Sequence, residues 1–223
     1  MDDRVWEAVL FDNDQTLVRS TWTIKLVWLR FALKYRIRFQ PKLLRACWGM
    51  TTAEVAKVLL ATRKRPLTDA QVGAAIAYAE KLERTTTLLL RPIHGAGAAM
   101  RSIPKSRLAV VSSGSIAVIY NRLSHCSLPI PDVVVSSEDI ERGKPDPQCY
   151  QVAASRLGVD PRRCLVVEDS PHGLAAAKAA GCATIALLTS HWESELEADW
   201  IIEDLRKVRF EAGDDGIRIR LSQ

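Results

Sequence analysis

Two carboxylates stand two residues apart where an apolar run ends, in Phe11-Asp12-Asn13-Asp14-Gln15-Thr16-Leu17. Acids this close behind a buried strand are costly unless they hold a cation or act on a substrate. The plain alternative is a solvated turn, because Asp and Asn are turn residues. A second acidic pair, Glu168-Asp169, closes another apolar run ahead of Ser170-Pro171-His172-Gly173 and an alanine-rich stretch. Set opposite the first pair, it would add hard oxygen ligands for a divalent cation. Ser112-Ser113-Gly114-Ser115 follows a third apolar run, where the Ser112 hydroxyl and nearby backbone N–H groups can bind a phosphoryl oxygen. Lys144, in Arg142-Gly143-Lys144-Pro145-Asp146-Pro147, would add a positive charge, although a lone lysine is usually solvated surface.

The elements that must position these groups follow from hydrophobic patterning. Residues 5–11, 108–111, 133–135, 164–167, 184–188 and 200–202 read as strands. Helical patterns lie between them at 96–102, 116–123, 147–157 and 173–180. Such alternation implies right-handed crossovers and a mostly parallel sheet, with working residues at the carboxyl ends of the strands. The polar clusters all follow apolar runs, as that rule requires.

One long interruption, residues 18–90, shows no strand pattern. It holds helix-like segments at 24–37, 52–61 and 69–85, the last with Thr68 or Asp69 as its cap. The expected organisation is therefore an α/β core from residues 1–17 and 90–223, with a helical cap, 18–89, inserted after the first strand. Residues 210–223 read as a polar, loosely held tail.

The net charge of +5 suits a protein that handles anions and is too weak to argue for nucleic acid. No acid occurs between Gln15 and Ala53, and Arg30, Lys34 and Arg38 share one helical face. That face reads either as solvated surface or as an electropositive rim that steers a substrate with a second anionic group. Membrane contact is not expected, because Trp28 and Phe31 on the other face are needed for packing. Five unpatterned cysteines read as free thiols in a reducing compartment. With no leader pattern and no bilayer-length apolar run, a cytoplasmic protein is expected, as a monomer or weak homo-oligomer. His94, His125, His172 and His191 show no metal-like grouping.

In order and spacing, these clusters resemble the four motifs of the haloacid-dehalogenase-like superfamily, over residues 5 to about 205. The most specific stretch is 134–181. Within the superfamily the layout is similar to the small-molecule phosphatases with an inserted helical cap, such as phosphogluconate and sugar-phosphate phosphatases. The resemblance implies an α/β Rossmann-like parallel-sheet core and a phosphoaspartyl mechanism acting on a small phosphorylated metabolite. Asp12 would attack phosphorus. Asp14 would protonate the leaving alcohol and then activate water. Mg²⁺ would be held by Asp12, the Asp14 backbone carbonyl and Asp169, with Glu168 close by or reaching through water. Thr16, Ser112, Ser113 and Lys144 would bind or orient the phosphate. Asp14 favours phosphoryl transfer over dehalogenation, since a departing halide needs no proton.

Three departures from the pattern stand out. Gln15 occupies a place usually held by Gly, which puts catalytic efficiency in question. Arg19, in Val18-Arg19-Ser20-Thr21, puts a cation near the cap hinge, either on substrate or in solvent. Met50, in Trp48-Gly49-Met50, stands near where related sugar-phosphate mutases carry Arg for a second phosphate. The alternatives to a hydrolase are such a mutase, or a feebly active binding protein on the same scaffold.

Overall fold

Strands buried on both faces need apolar residues at nearly every position, and such strands occur in parallel sheets covered by helices on both sides. In the computed structural model, which describes residues 4–47 and 50–222, the chain runs as follows. β1 (Ala8–Asp12) and β2 (Val18–Arg19) precede four helices, α1 (Thr21–Lys34), α2 (Pro41–Ala46), α3 (Thr52–Ala61) and α4 (Asp69–Thr85). Then come β3 (Arg91–Pro92), α5 (Ala96–Ser102), β4 (Leu108–Val111), α6 (Ile116–His125), β5 (Val133–Val135), α7 (Gln148–Leu157), β6 (Cys164–Glu168) and α8 (Pro171–Ala180). β7 (Ala183–Leu187), β8 (Trp200–Ile202), β9 (Val208–Gly213) and β10 (Gly216–Leu221) complete it. Six strands form one parallel sheet in the order β5-β4-β1-β6-β7-β8. The fold is therefore the expected α/β Rossmann-like one.

The two-residue period of a strand divides β1 between two cores. Val9 and Phe11 join Met100, Ile119 and Leu123 on one face, while Ala8 and Leu10 join Tyr150, Ala153 and Ala177 on the other. Helices α1–α4 bury a third cluster among themselves, including Val27, Trp28, Phe31, Val55 and Leu59. Thr68 is the residue that caps α4, in a reciprocal box with Gln71. The passages into and out of these helices lie side by side, because β2 and β3 pair antiparallel through Val18–Pro92 and Arg19–Arg91. Arg19 is exposed on that ribbon.

Two expectations need correction. The first strand begins at Ala8, and Trp6 instead bridges to Ile217. Residues 210–223 are not a loose tail: β9 and β10 form a hairpin that buries Phe210, Ile217 and Ile219. The Phe210 ring meets Phe11 edge-on at 5.7 Å. Charged residues alternate with Phe and Ile there, so the composition looked polar while the period was that of a strand with one buried face.

All five cysteines are free and buried. Among the described residues, no helix is long and apolar enough to cross a membrane.

Candidate active site

Parallel register brings the carboxyl ends of β1, β4 and β6 together: Asp12 pairs with Val111, and Phe11 with Val167. Asp12, Ser112, Glu168 and Asp169 therefore gather at one edge of the sheet. Lys144 enters from the loop after β5, with Nζ 2.7 Å from Asp12 Oδ1 and 2.6 Å from Glu168 Oε1. Lys144 and Asp169 are each 4 % exposed, Asp12 7 % and Glu168 0 %, so water cannot screen these charges.

Three buried carboxylates, with ligand oxygens within 4.8 Å of one another, share one lysine. Burial pushes the Asp12 carboxyl up to about 8 and holds Asp169 well above the usual carboxylate range. Glu168 goes the other way. Burial disfavours its charge, yet Lys144 and the N–H groups of Ser170 and Asp169 hold it below its ordinary value. Burial also works against the Lys144 charge, but Asp12 and Glu168 keep its ammonium well above the lysine range. The excess of buried oxygen anions over cations fits a divalent metal held by Asp12 and Asp169. No histidine belongs to this group among the described residues.

Glu168 is expected near the metal, and the hydrogen bonds show a further use for it. Oε1 accepts from Lys144 and from Tyr150 Oη at 3.1 Å. Oε2 accepts from Asp169 N at 2.8 Å, Ser170 N at 2.9 Å and Ser170 Oγ at 3.0 Å. Its lone pairs are thus already engaged, and it anchors Lys144 beside Asp12. Gly173 makes room for this: a Cβ there would lie 1.7 Å from Glu168 Oε1. Gly173→Ala is expected to displace that carboxylate, cost about 1–3 kcal/mol and lower turnover with it. Urea unfolding and steady-state rates check this; a fully active, fully stable variant would show that the loop adjusts freely.

Thr16 Oγ1 donates to Asp169 Oδ1 at 3.4 Å, which ties the first loop to the fourth. Ser112 and Ser113 line the same cavity as Asp12 and Asp169. Ser112 Oγ accepts from Gly114 N at 3.2 Å. The Asp14 carboxylate is held apart, paired with the Arg122 guanidinium and the Ser20 hydroxyl. Arg122, Ser20, Ser170 and Tyr150 were not singled out from sequence. Ser170 alone carried a signal, as the cap residue before Pro171 at a helix start, and its Oγ accepts from Gly173 N at 3.1 Å.

Gln15 sits at φ +64°, in the left-handed region that Gly would enter without strain. In the orientation that satisfies both ends of its amide, its oxygen accepts from the backbone N–H groups of Ser20 (3.1 Å) and Thr21 (2.7 Å). Helix α1 has no cap from its own N-cap residue, so Gln15 supplies one from outside. Gln15→Gly and Gln15→Ala both lose the cap, but only Ala keeps the strained backbone. Ala is therefore expected to be the less stable by about 1 kcal/mol, read from paired urea midpoints. Equal midpoints would mean that φ carries no strain here.

A profile of the haloacid dehalogenase-like hydrolases matches residues 9–187. The chain belongs to that family. This hydrolase is 30% identical over 210 residues to validoxylamine A 7'-phosphate phosphatase of Streptomyces hygroscopicus subsp. limoneus, covering 92% of this chain and 97% of that one. It is 31% identical over 205 residues to hexitol phosphatase A of Escherichia coli K12, covering 91% and 93%. Its fold matches a crystal structure of a hydrolase from Pseudomonas syringae, with a TM-score of 0.79 at 23% identity over 89% of this chain and 94% of that one.

The hydrolase's cavity has an acidic floor and a mostly apolar roof. Ile24, Trp28 and Met50 line the roof, with Thr52 and Glu83 as polar insertions. None of Arg19, Arg30, Lys34 or Arg38 lines it. Arg30 borders a separate depression with residues 85–91. The Lys34 ammonium lies 3.7 Å from the centre of the Tyr78 ring. The basic face is therefore not a rim to this cavity. Trp48 and Gly49 lie outside the described residues.

Proposed function

We propose that this hydrolase is a Mg²⁺-dependent phosphatase that removes phosphate from a small neutral sugar or polyol phosphomonoester through an aspartyl-phosphate on Asp12. The observation that carries the reading is the buried group of Asp12, Lys144, Glu168 and Asp169 at the foot of a cavity that Ser112 also lines. The phosphatases named above act, by their names, on validoxylamine A 7'-phosphate and on hexitol phosphates, and the second agrees with this choice. Residues 18–89 serve as the cap that encloses the leaving group.

Mg²⁺ held by Asp12, Asp169 and the Asp14 carbonyl would offset the charge of the incoming phosphate. The chain's own residues do the rest. Asp12 attacks phosphorus in line, and the P–O bond to the substrate alcohol breaks. Asp14 gives that oxygen its proton, then takes one from water as the water attacks the phosphoenzyme. Lys144 and Ser112 bind phosphoryl oxygens, and Glu168 fixes Lys144.

The roof argues against a substrate with a second anion. Among the described residues, Arg122 is the one cation lining the cavity besides the floor, and Asp14 already occupies it. Met50 likewise offers nothing to a second phosphate, which disfavours a mutase. The test is phosphate release from hexitol, hexose, sugar-acid and nucleotide monophosphates, with and without Mg²⁺. Mg²⁺-dependent release is expected, with neutral esters at least about tenfold ahead of sugar-acid esters in kcat/KM. A folded, Mg²⁺-binding protein that releases phosphate from none of them would sink the hydrolase reading. A preference for the acidic esters would sink the neutral-substrate part.

A further inference from the structure

The Asp14 carboxylate cannot do acid chemistry where it stands. Oδ1 accepts from Ser20 Oγ, and Oδ2 accepts from Arg122 Nη1 and from Asn13 Nδ2 at 3.3 Å. To reach a leaving alcohol it must turn away from Arg122. That motion would strand the guanidinium, which is 4 % exposed and cannot fall back on water.

The surroundings of Arg122 supply an answer. Its Nε–H is buried with no acceptor, so the present pairing leaves part of its donor fork unused. A second acid, Glu83 on α4, lines the same cavity. Glu83 accepts from Thr52 Oγ1 at 2.6 Å and makes no ion pair among the described residues. Burial raises its carboxyl, and Arg122 is the strongest charge acting to lower it again. Helices α4 and α6 already touch, with Asn121 Nδ2 donating to Arg84 O at 2.7 Å. Asp14 and Glu83, on different elements, thus line one cavity with one buried arginine, which Asp14 holds.

We propose that Arg122 is a positioning residue that passes from Asp14 to Glu83 as substrate fills the cavity, freeing Asp14 only then. The hand-over rests on the hydrolase reading above. It gives Glu83 a role on the reaction without contact to phosphorus: it takes over the arginine that would otherwise hold the acid back.

The test exploits leaving groups. An alkyl alcohol needs a proton to leave, whereas nitrophenolate does not, so a defect confined to Asp14 shows on one ester and not the other. Rates on the best polyol phosphate and on p-nitrophenyl phosphate are compared for wild type, Glu83→Gln and Thr52→Val, the last loosening Glu83 without removing its charge. Glu83→Gln is expected to lower kcat on the alkyl ester about tenfold or more relative to the aryl ester, with KM within about twofold. Thr52→Val should move the same ratio by less, and it stands in if Glu83→Gln does not fold. Equal losses on both esters would overturn the hand-over in favour of a scaffold role. A higher KM at unchanged kcat would overturn it in favour of direct substrate contact, and an unchanged ratio would overturn it outright. A wild type inactive on both esters would overturn the hydrolase reading itself, before any variant is compared.

Discussion

Asp12→Asn is expected to lower phosphate release by at least about 10⁴-fold while leaving the metal-free protein as stable as wild type or more so. On the proposed mechanism the loss of rate follows from removing the nucleophile, since an amide cannot form the acyl phosphate. The gain in stability follows from charge. Wild-type Asp12 is buried against Glu168 and Asp169 with only Lys144 to share, and burial pushes its carboxyl up to about 8. Between pH about 4 and 8 the native state then keeps a proton that the unfolded chain has given up, so stability falls as pH rises through that window. Asn has no proton to lose, and its carbonyl can still accept from Lys144. Melting in chelator should therefore place Asp12→Asn above wild type near pH 9, with the gap closing towards pH 4. A variant less stable than wild type across the whole range would show that the Asp12–Lys144 pair outweighs burial.

Lys144→Ala is expected to have the opposite effect on stability and a smaller one on rate. Its ammonium touches Asp12 and Glu168 and is the one cation among three buried acids. Its removal leaves those acids uncompensated, at a cost of about 3–5 kcal/mol. They can recover part of that by taking up protons, so the loss should be largest at alkaline pH and smaller in acid. On the proposed mechanism the reaction loses a phosphate ligand and the group that holds Asp12 in place, for a fall of about 10³-fold. Urea unfolding at two pH values, beside phosphate release with Mg²⁺, checks both. Full stability without the lysine would mean that water or a solvent cation replaces it.

Much of this architecture was legible in the residues. β4, β5, β8, α3, α4 and α5 stand where periodicity puts them, because each is an uninterrupted apolar run or a helical stretch, and a Thr caps α3 and α4. Asp12, Glu168 and Asp169 lie close together as their strand-end positions imply, and Lys144 reaches them from the loop after β5. What could not be read was the direction of side chains. Tyr120-Asn121-Arg122 looks like an ordinary solvated helix end, and only the packing of α6 under α4 turns Arg122 inward. α1 ends at Lys34, so Arg38 leaves the face expected for Arg30, Lys34 and Arg38, and spacing cannot show what the remaining face looks upon. The hairpin escaped for a different reason: its arginines and glutamates hid a two-residue period.

The placement of β1 has a consequence for the order of assembly. It lies in the middle of the sheet, and its partners β4 and β6 begin about a hundred and about a hundred and fifty residues later. A ribosome therefore releases the strand that carries Asp12 long before either neighbour exists. Helices α1–α4, which close their own cluster by short-range contacts, can collapse while β1 waits. Desolvation of the acids follows only once β6 has docked and delivered Glu168 and Asp169, so the growing chain is spared the electrostatic cost of the site until late in synthesis.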